Sequence, residues 1–301
     1  MSEPLTTTPQ PRATLRDWLT GARPQTWANA FSPVLVGSGV AAFHDGFSWW
    51  RALLALVVAW ALIVGVNYAN DYSDGIRGTD EDRTGPLRLT GSGLARPGQV
   101  KAAAFLSFGL AGIAGIALSL ASAWWFIIIG AICILGAWFY TGGKNPYGYR
   151  GLGEVAVFIF FGLVAVMGTE FTQRGAVSWQ GLVAAIAIGS ISASVNLANN
   201  IRDIPSDEEA GKITLAVRLG DRNSRILYRV LLCMPFLASV VLAFATIPAL
   251  IGLILFPLAI KGASPIVRLK TGKDLIPVIG ATGKTMLAWS VLTTVALVLG
   301  L

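Results

Sequence analysis

The chain has 301 residues, of which 54% are hydrophobic and only 13% charged, with a mean hydropathy of +0.65. Soluble domains carry about 25% charged residues, so the composition excludes an ordinary soluble protein and indicates an all-α integral membrane protein. The formal charge of +7 comes without any basic cluster interleaved with aromatics, which excludes a nucleic-acid binder and leaves the basic residues to topology and to attraction by anionic membrane lipids.

Residues 1–22 contain no apolar core of the kind a cleavable signal peptide needs. They read as a flexible cytoplasmic lead-in to a single transmembrane domain over 23–301. A spanning helix needs roughly 20 mostly apolar residues. Candidates in chain order are 27–43, 49–68, 100–121, 124–140, 152–169, 179–198, 230–246, 247–260 and 286–301, about nine transmembrane helices in a bundle. Pro33, Pro235, Pro248 and Pro257 lie in or beside these runs, where neighbouring helices satisfy the carbonyls that proline frees.

Basic residues collect on the cytoplasmic side of membrane proteins. With nine spans and the N-terminus cytoplasmic, all Lys and Arg fall inside except Arg51 and Arg174. A wrong count would scramble that split. Cys133 and Cys233 lie in apolar runs without partner spacing and read as small core residues. His44 is the only histidine, so neither a histidine metal site nor a histidine-based catalytic pair is available.

The acids are as unevenly spread as the bases. Asp71, Asp74, Asp80, Glu81 and Asp82 follow the second apolar run, and Asp203, Asp207, Glu208, Glu209 and Asp221 follow the sixth. The two stretches repeat each other: NYANDYSD at 67–74 and NLANNIRD at 196–203 share Asn, Ala, Asn and Asp at matching places, which suggests two duplicated halves with a site between them. On a helix, residues at i, i+3, i+4 and i+7 share a face. One stripe is then Asn67, Asn70, Asp71 and Asp74, and the other Asn196, Asn199, Asn200, Asp203 and Asp207. Polar groups at membrane depth are costly unless they face a cavity or a partner. Hard oxygen ligands without His or Cys suit Mg²⁺, which takes one or two carboxylates together with substrate phosphate oxygens. The nearby cations Arg77, Lys144, Arg150, Arg202 and Lys212 are consistent with a phosphorylated substrate.

N-D-x-x-D at 70–74 and D-x-x-x-D at 203–207, placed on the second and sixth helices of nine, resemble the two aspartate motifs of the UbiA superfamily of intramembrane prenyltransferases. Many members carry a third acid four residues beyond the first motif, where this chain has Gly78; Asp80 follows two positions later. That longer form, with RPQTW at 23–27, YTGGKNPYGYRGLGE at 140–154 and NNIRDIPSDEEAGKITLAVRLG at 199–220, is similar to the branch that prenylates 1,4-dihydroxy-2-naphthoate in menaquinone biosynthesis.

The resemblance implies two Mg²⁺ ions held by Asp71, Asp74, Asp203 and Asp207, with Asn70 and Asp80 as further ligand candidates, bridging the diphosphate of a polyprenyl diphosphate. It implies diphosphate contacts from Arg202, Lys144 and Lys212, with Arg77 and Arg150 behind them. Asn67, Asn70 and Asn199 would ligate a metal or orient carboxylates. Tyr140, Lys144 and Tyr147 match the family's positions near the aromatic acceptor, with Tyr149 a lesser candidate, and Arg23 would pair with the acceptor's carboxylate. The expected product is demethylmenaquinol, formed with loss of CO₂ at the cytoplasmic side of the cell inner membrane. Other acceptors, such as 4-hydroxybenzoate, homogentisate or haem, stay open at this point. So does an ion-coupled secondary transporter, which would also show repeated halves with polar helix ends.

Overall fold

The computed structural model describes residues 13–78 and 88–300. Helix α1 (Leu15–Gly21) opens with a reciprocal cap in which Thr14 Oγ1 accepts the Asp17 amide and the Asp17 carboxylate accepts the Thr14 amide, satisfying donors that a helix start leaves over. Those bonds to Thr14 hold the Asp17 carboxyl below its usual range. Trp18 packs edge-on against Tyr68 at 5.7 Å, and the Tyr68 hydroxyl donates to the Trp18 carbonyl. The expected flexible lead-in is therefore a packed helix over 15–21, while residues 1–12 lie outside the described residues.

The chain continues through α2 (Ala28–Phe43), α3 (Trp49–Ile76), α4 (Pro97–Ala121), α5 (Phe126–Phe139), α6 (Gly153–Arg174), α7 (Trp179–Glu209), α8 (Leu215–Leu242), α9 (Ile247–Gly262) and α10 (Gly272–Leu299). There is no strand among the described residues. Six of these helices, α3, α4, α6, α7, α8 and α10, are long and apolar enough to cross a membrane. The other three expected spans, α2, α5 and α9, are shorter apolar helices; at 1.5 Å per residue, 16 residues reach only about 24 Å against a hydrocarbon core of about 30 Å.

Sequence chemistry explains which faces meet lipid. Leu106, Ile113 and Leu120 recur every seventh residue along α4 and are 75%, 72% and 71% exposed, a stripe only an apolar solvent would tolerate. Trp49, Trp124 and Trp179 are exposed at helix starts on one end of the bundle, the place where amphipathic rings meet a membrane interface. At that same end Arg51 donates to the carbonyls of Ala121, Thr172 and Gln173, and Arg174 pairs with buried Glu170 at 2.7 Å. Of the two arginines that break the expected charge split, Arg51 thus ties helix ends together and Arg174 pairs within the last turn of α6.

Two large buried clusters hold the bundle, with a small third of Val34, Ala55 and Leu118. One joins α3, α4 and α5 with Ala22, Leu89 and Ala95; the other joins α2 with α6 through α10. Helix α7 is the most buried of the spans. Its contact with α6 is set by glycine: a Cβ at Gly162 would stand 2.5 Å from the Gly189 Cα and 2.6 Å from the Ala185 carbonyl oxygen, both backbone atoms that cannot swing aside. Helices α3 and α7 run past the apolar stretches that announce them, to Ile76 and Glu209. Both repeats are therefore helical, and they sit at the end of the bundle opposite the tryptophans.

Candidate active site

A cavity of about 800 Å³ lies among α2, α3, α4, α5, α6 and α7. Its polar end is formed by Arg23, Asn67, Asn70, Asp74, Arg88, Asn199, Arg202 and Lys212, and its shaft by residues such as Ala55, Val58, Gly115, Ile127 and Phe160. On α3 alone the lining runs from Asp74 to Ala55, roughly 28 Å at 1.5 Å per residue. A charged head and a long apolar tail fit this shape.

The first motif is built on the last turns of α3. Asp74 Oδ1 accepts the Tyr149 hydroxyl at 2.6 Å, and its Oδ2 stands 3.3 Å from Arg88 Nη2. Asn70 Oδ1 accepts the Thr141 hydroxyl at 2.7 Å, and Asn67 donates to the Ala22 carbonyl and to Thr26 Oγ1. Asp71 is 1% exposed and off the cavity wall; its two oxygens accept the backbone amides of Leu89 and Thr90. The helix ends at Ile76, and Gly78 follows with φ of +73°, a left-handed conformation that terminates helices and disfavours residues with a Cβ.

The second motif lies on α7. Arg202 meets Asp203 through two bonds of 2.7 Å with both side chains buried, and Lys212 Nζ stands 3.4 Å from Asp207 Oδ1. Asn196 and Asn200 both donate to Glu154 Oε1, at 3.1 and 2.6 Å. A carboxylate only accepts, so both amides turn their nitrogens to Glu154. The Asn196 oxygen then faces the Tyr140 hydroxyl at 3.4 Å. Tyr140 and Tyr147 line the cavity with their rings edge to face at 5.5 Å, and the Tyr147 hydroxyl donates to the Gly136 carbonyl. Burial pushes the Tyr147 hydroxyl up to about 12.

The expected site residues divide. Asn67, Asn70, Asp74, Tyr140, Tyr147, Asn199, Arg202, Lys212 and Arg23 line the cavity, and Asp203 and Asp207 join it through their cation partners Arg202 and Lys212. Arg23 does so from a left-handed backbone, φ 52°, which is uncommon for a residue with a side chain. Lys144 and Arg150 are exposed and off the cavity wall. Arg77 is exposed too, spanning the carbonyls of Thr141 and Gly143 with its guanidinium over the Tyr149 ring. Asp80 lies outside the described residues. Sequence reasoning missed Arg88 and Glu154. Arg88 sits beyond the helix with no periodicity to mark it, and Glu154 carries one signal, a lone acid at the start of an apolar run.

The donor set is oxygen only, which fits Mg²⁺ and not a softer metal. Among the described residues, no three His, Cys, Asp or Glu side chains form a ready cage. Each of Asp74, Asp203 and Asp207 instead stands beside a cation, so carboxylates could turn to metal while cations turn to phosphate oxygens. The arrangement suits a metal that arrives with its phosphate ligand.

Comparison with known proteins agrees with this geometry. Residues 30–291 match the UbiA prenyltransferase family. A protein of Mycobacterium tuberculosis named 1,4-dihydroxy-2-naphthoate octaprenyltransferase is 54% identical over 288 residues, covering 96% of this chain and 99% of its own. One of the same name from Escherichia coli is 36% identical, covering 94% of each. Among solved structures, a UbiA homologue from Aeropyrum pernix in its apo form matches with a TM-score of 0.68 at 15% identity, over 90% of this chain and 97% of that one. A homologue from Archaeoglobus fulgidus bound to GPP and Mg²⁺ matches at 0.64 and 14%, over 93% and 99%. The chain belongs to the UbiA prenyltransferase family.

Proposed function

We propose that the protein transfers a polyprenyl group from polyprenyl diphosphate to 1,4-dihydroxy-2-naphthoate, releasing diphosphate and CO₂ and giving demethylmenaquinol. The observation that carries this reading is one cavity whose cation- and carboxylate-lined head joins an apolar shaft that follows α3 back to Ala55. The names borne by the relatives from M. tuberculosis and E. coli support the naphthoate as acceptor.

Asp74, Asp203, Asp207 and Asn70 would hold two Mg²⁺ ions, with Asp80 a further candidate. The carboxylate of Asp71, turned to backbone amides, is left out of that set. Bound with the diphosphate, Mg²⁺ supplies positive charge to the leaving group. Arg88 and Arg202 offer planar forks to phosphate oxygens and Lys212 a point charge, so charge that develops as the allylic C–O bond breaks is met by groups already in place. The electron pair of that bond leaves with the diphosphate. The ring carbon bearing the carboxylate then forms the new C–C bond, and the carboxylate departs as CO₂, returning its bonding pair to the ring. Arg23 would pair with that carboxylate. Tyr140 and Tyr147, whose hydroxyl protons are turned to the Asn196 oxygen and the Gly136 carbonyl, would flank the ring as walls.

The basic-residue split supports nine spans with the N-terminus and the polar mouth on the cytoplasmic side of the cytoplasmic membrane, and the repeat at 67–74 and 196–203 supports two duplicated halves. The test is a pair of variants: Asp74→Ala and Asp203→Ala should each lose turnover by about 100-fold or more while inserting and eluting as the wild type does. Substantial turnover in either would remove the metal-held diphosphate from the account.

A further inference from the structure

Asp71 stands in the middle of the N-D-x-x-D run, yet both its oxygens are taken by the polypeptide itself. Oδ2 accepts the Leu89 amide and Oδ1 the Thr90 amide, each at 2.8 Å. Two backbone donors on one buried carboxylate make a charge-assisted clamp. The clamped segment is fastened on both sides of those bonds. Leu89 is fully buried and lies so close to Gly21 that a Cβ there would come within 2.8 Å of Leu89 Cδ1. Thr90 lies over Gly75, one turn along from Asp71; a Cβ at 75 would stand 2.5 Å from the Thr90 Cβ. The residue just before the clamp is Arg88, buried, on the cavity wall and 3.3 Å from Asp74.

Resting on the prenyl diphosphate reading, we propose that Asp71 is a positioning residue and not a metal ligand: it bolts the segment 88–90 onto α3 so that the Arg88 guanidinium enters the head of the cavity as a diphosphate-binding group. The stripe expected from sequence then splits by task. Asp74 faces the head of the cavity, and three residues earlier Asp71 faces the chain that returns to it. The order along the structure is Asp71 carboxylate, backbone of 89 and 90, Arg88 side chain, diphosphate oxygens.

The experiment uses the purified full chain with four variants: Asp71→Asn, Arg88→Gln, the double variant, and Gly75→Ala. Asn retains one acceptor oxygen and loses the other, and Gly75→Ala pushes on Thr90 without touching a carboxylate. Three quantities are read: KM for the prenyl diphosphate, the Mg²⁺ concentration at half-maximal rate, and hydrogen exchange of the amides of Leu89 and Thr90. Asp71→Asn and Arg88→Gln should each raise KM about tenfold, and the double variant should exceed the larger single effect by less than about twofold because both act on one interaction. The Mg²⁺ half-saturation should stay within about twofold of wild type in Asp71→Asn, and the two amides should exchange faster in it. Gly75→Ala should reproduce the KM effect, which keeps the test alive if Asp71→Asn fails to fold. A roughly tenfold rise in the Mg²⁺ half-saturation, additive effects of the two substitutions, or unchanged amide exchange would each overturn the proposal. A wild type without Mg²⁺-dependent turnover would instead overturn the functional reading, and amide exchange would still report on the clamp.

Discussion

Replacing Tyr149 by Phe removes one hydroxyl from the wall of the cavity. That hydroxyl donates to Asp74 Oδ1 at 2.6 Å, while the ring lies 5.4 Å from the Arg77 guanidinium carbon and 5.3 Å from Lys212 Nζ. Phe keeps the ring and both cation contacts, so the substitution isolates the hydrogen bond. Bonds to charged groups contribute about 1.5–3 kcal/mol. Losing the partner that orients a metal-binding carboxylate costs about 10–100-fold in metal affinity, and the two ranges agree. The Mg²⁺ concentration at half-maximal rate should therefore rise about tenfold or more, with the rate at saturating Mg²⁺ falling less than about threefold. The assay is a Mg²⁺ titration of detergent-purified protein at saturating prenyl diphosphate and acceptor. A half-saturation unchanged from wild type would refute the claim that Asp74 is a ligand held in place by Tyr149.

Arg202→Ala removes the two bonds that Arg202 makes to the buried Asp203 carboxylate, and bonds to charged groups contribute about 1.5–3 kcal/mol; a thermal unfolding midpoint equal to wild type would contradict the buried pairing. Gly162→Ala forces α6 and α7 apart at backbone atoms, so it should destabilise by about 1–3 kcal/mol, read as a lower midpoint, and no drop would mean the crossing is looser than described. Tyr147 titrates above an ordinary tyrosine, so its contribution to stability is complete below about pH 10 and is lost as pH rises through about 12. Between those limits the wild type should lose stability that Tyr147→Phe does not, and parallel curves would remove the burial argument. Asp80→Ala should raise the Mg²⁺ half-saturation if that acid is a ligand, and an unchanged titration would strike it from the ligand set.

Much of this architecture is legible in sequence because lipid leaves few options. Apolar runs of the right length mark α3, α4 and α6 through α8, and the distribution of Lys and Arg anticipates Arg51 and Arg174 as the two cations at the tryptophan-rich end. The repeated Asn–Ala–Asn–Asp pattern brings Asn70, Asp74, Asn199 and Asp203 to one end of the bundle, since helical spacing alone puts them on stripes. What spacing cannot give is which oxygen of a stripe faces the cavity. Asp71 and Asp74 are equivalent on a helical wheel, yet one meets backbone amides and the other the cavity, because the segment 88–90 happens to pack over the first. Arg88 and Glu154 are hidden for the same reason: each acts on residues far away in sequence, across 14 positions in one instance and 42 or more in the other. Lys144 and Arg150 show the converse, since a basic residue near a polar helix end reads as a phosphate ligand whether or not its side chain turns inward.

The most direct test of the central claim is product analysis with purified protein, Mg²⁺ and a radiolabelled polyprenyl diphosphate, offering 1,4-dihydroxy-2-naphthoate or 4-hydroxybenzoate in parallel, with and without EDTA. The account requires a prenylated naphthoquinol that forms only with Mg²⁺ and is accompanied by CO₂. Product from the benzoate alone, or product that persists in EDTA, would contradict it.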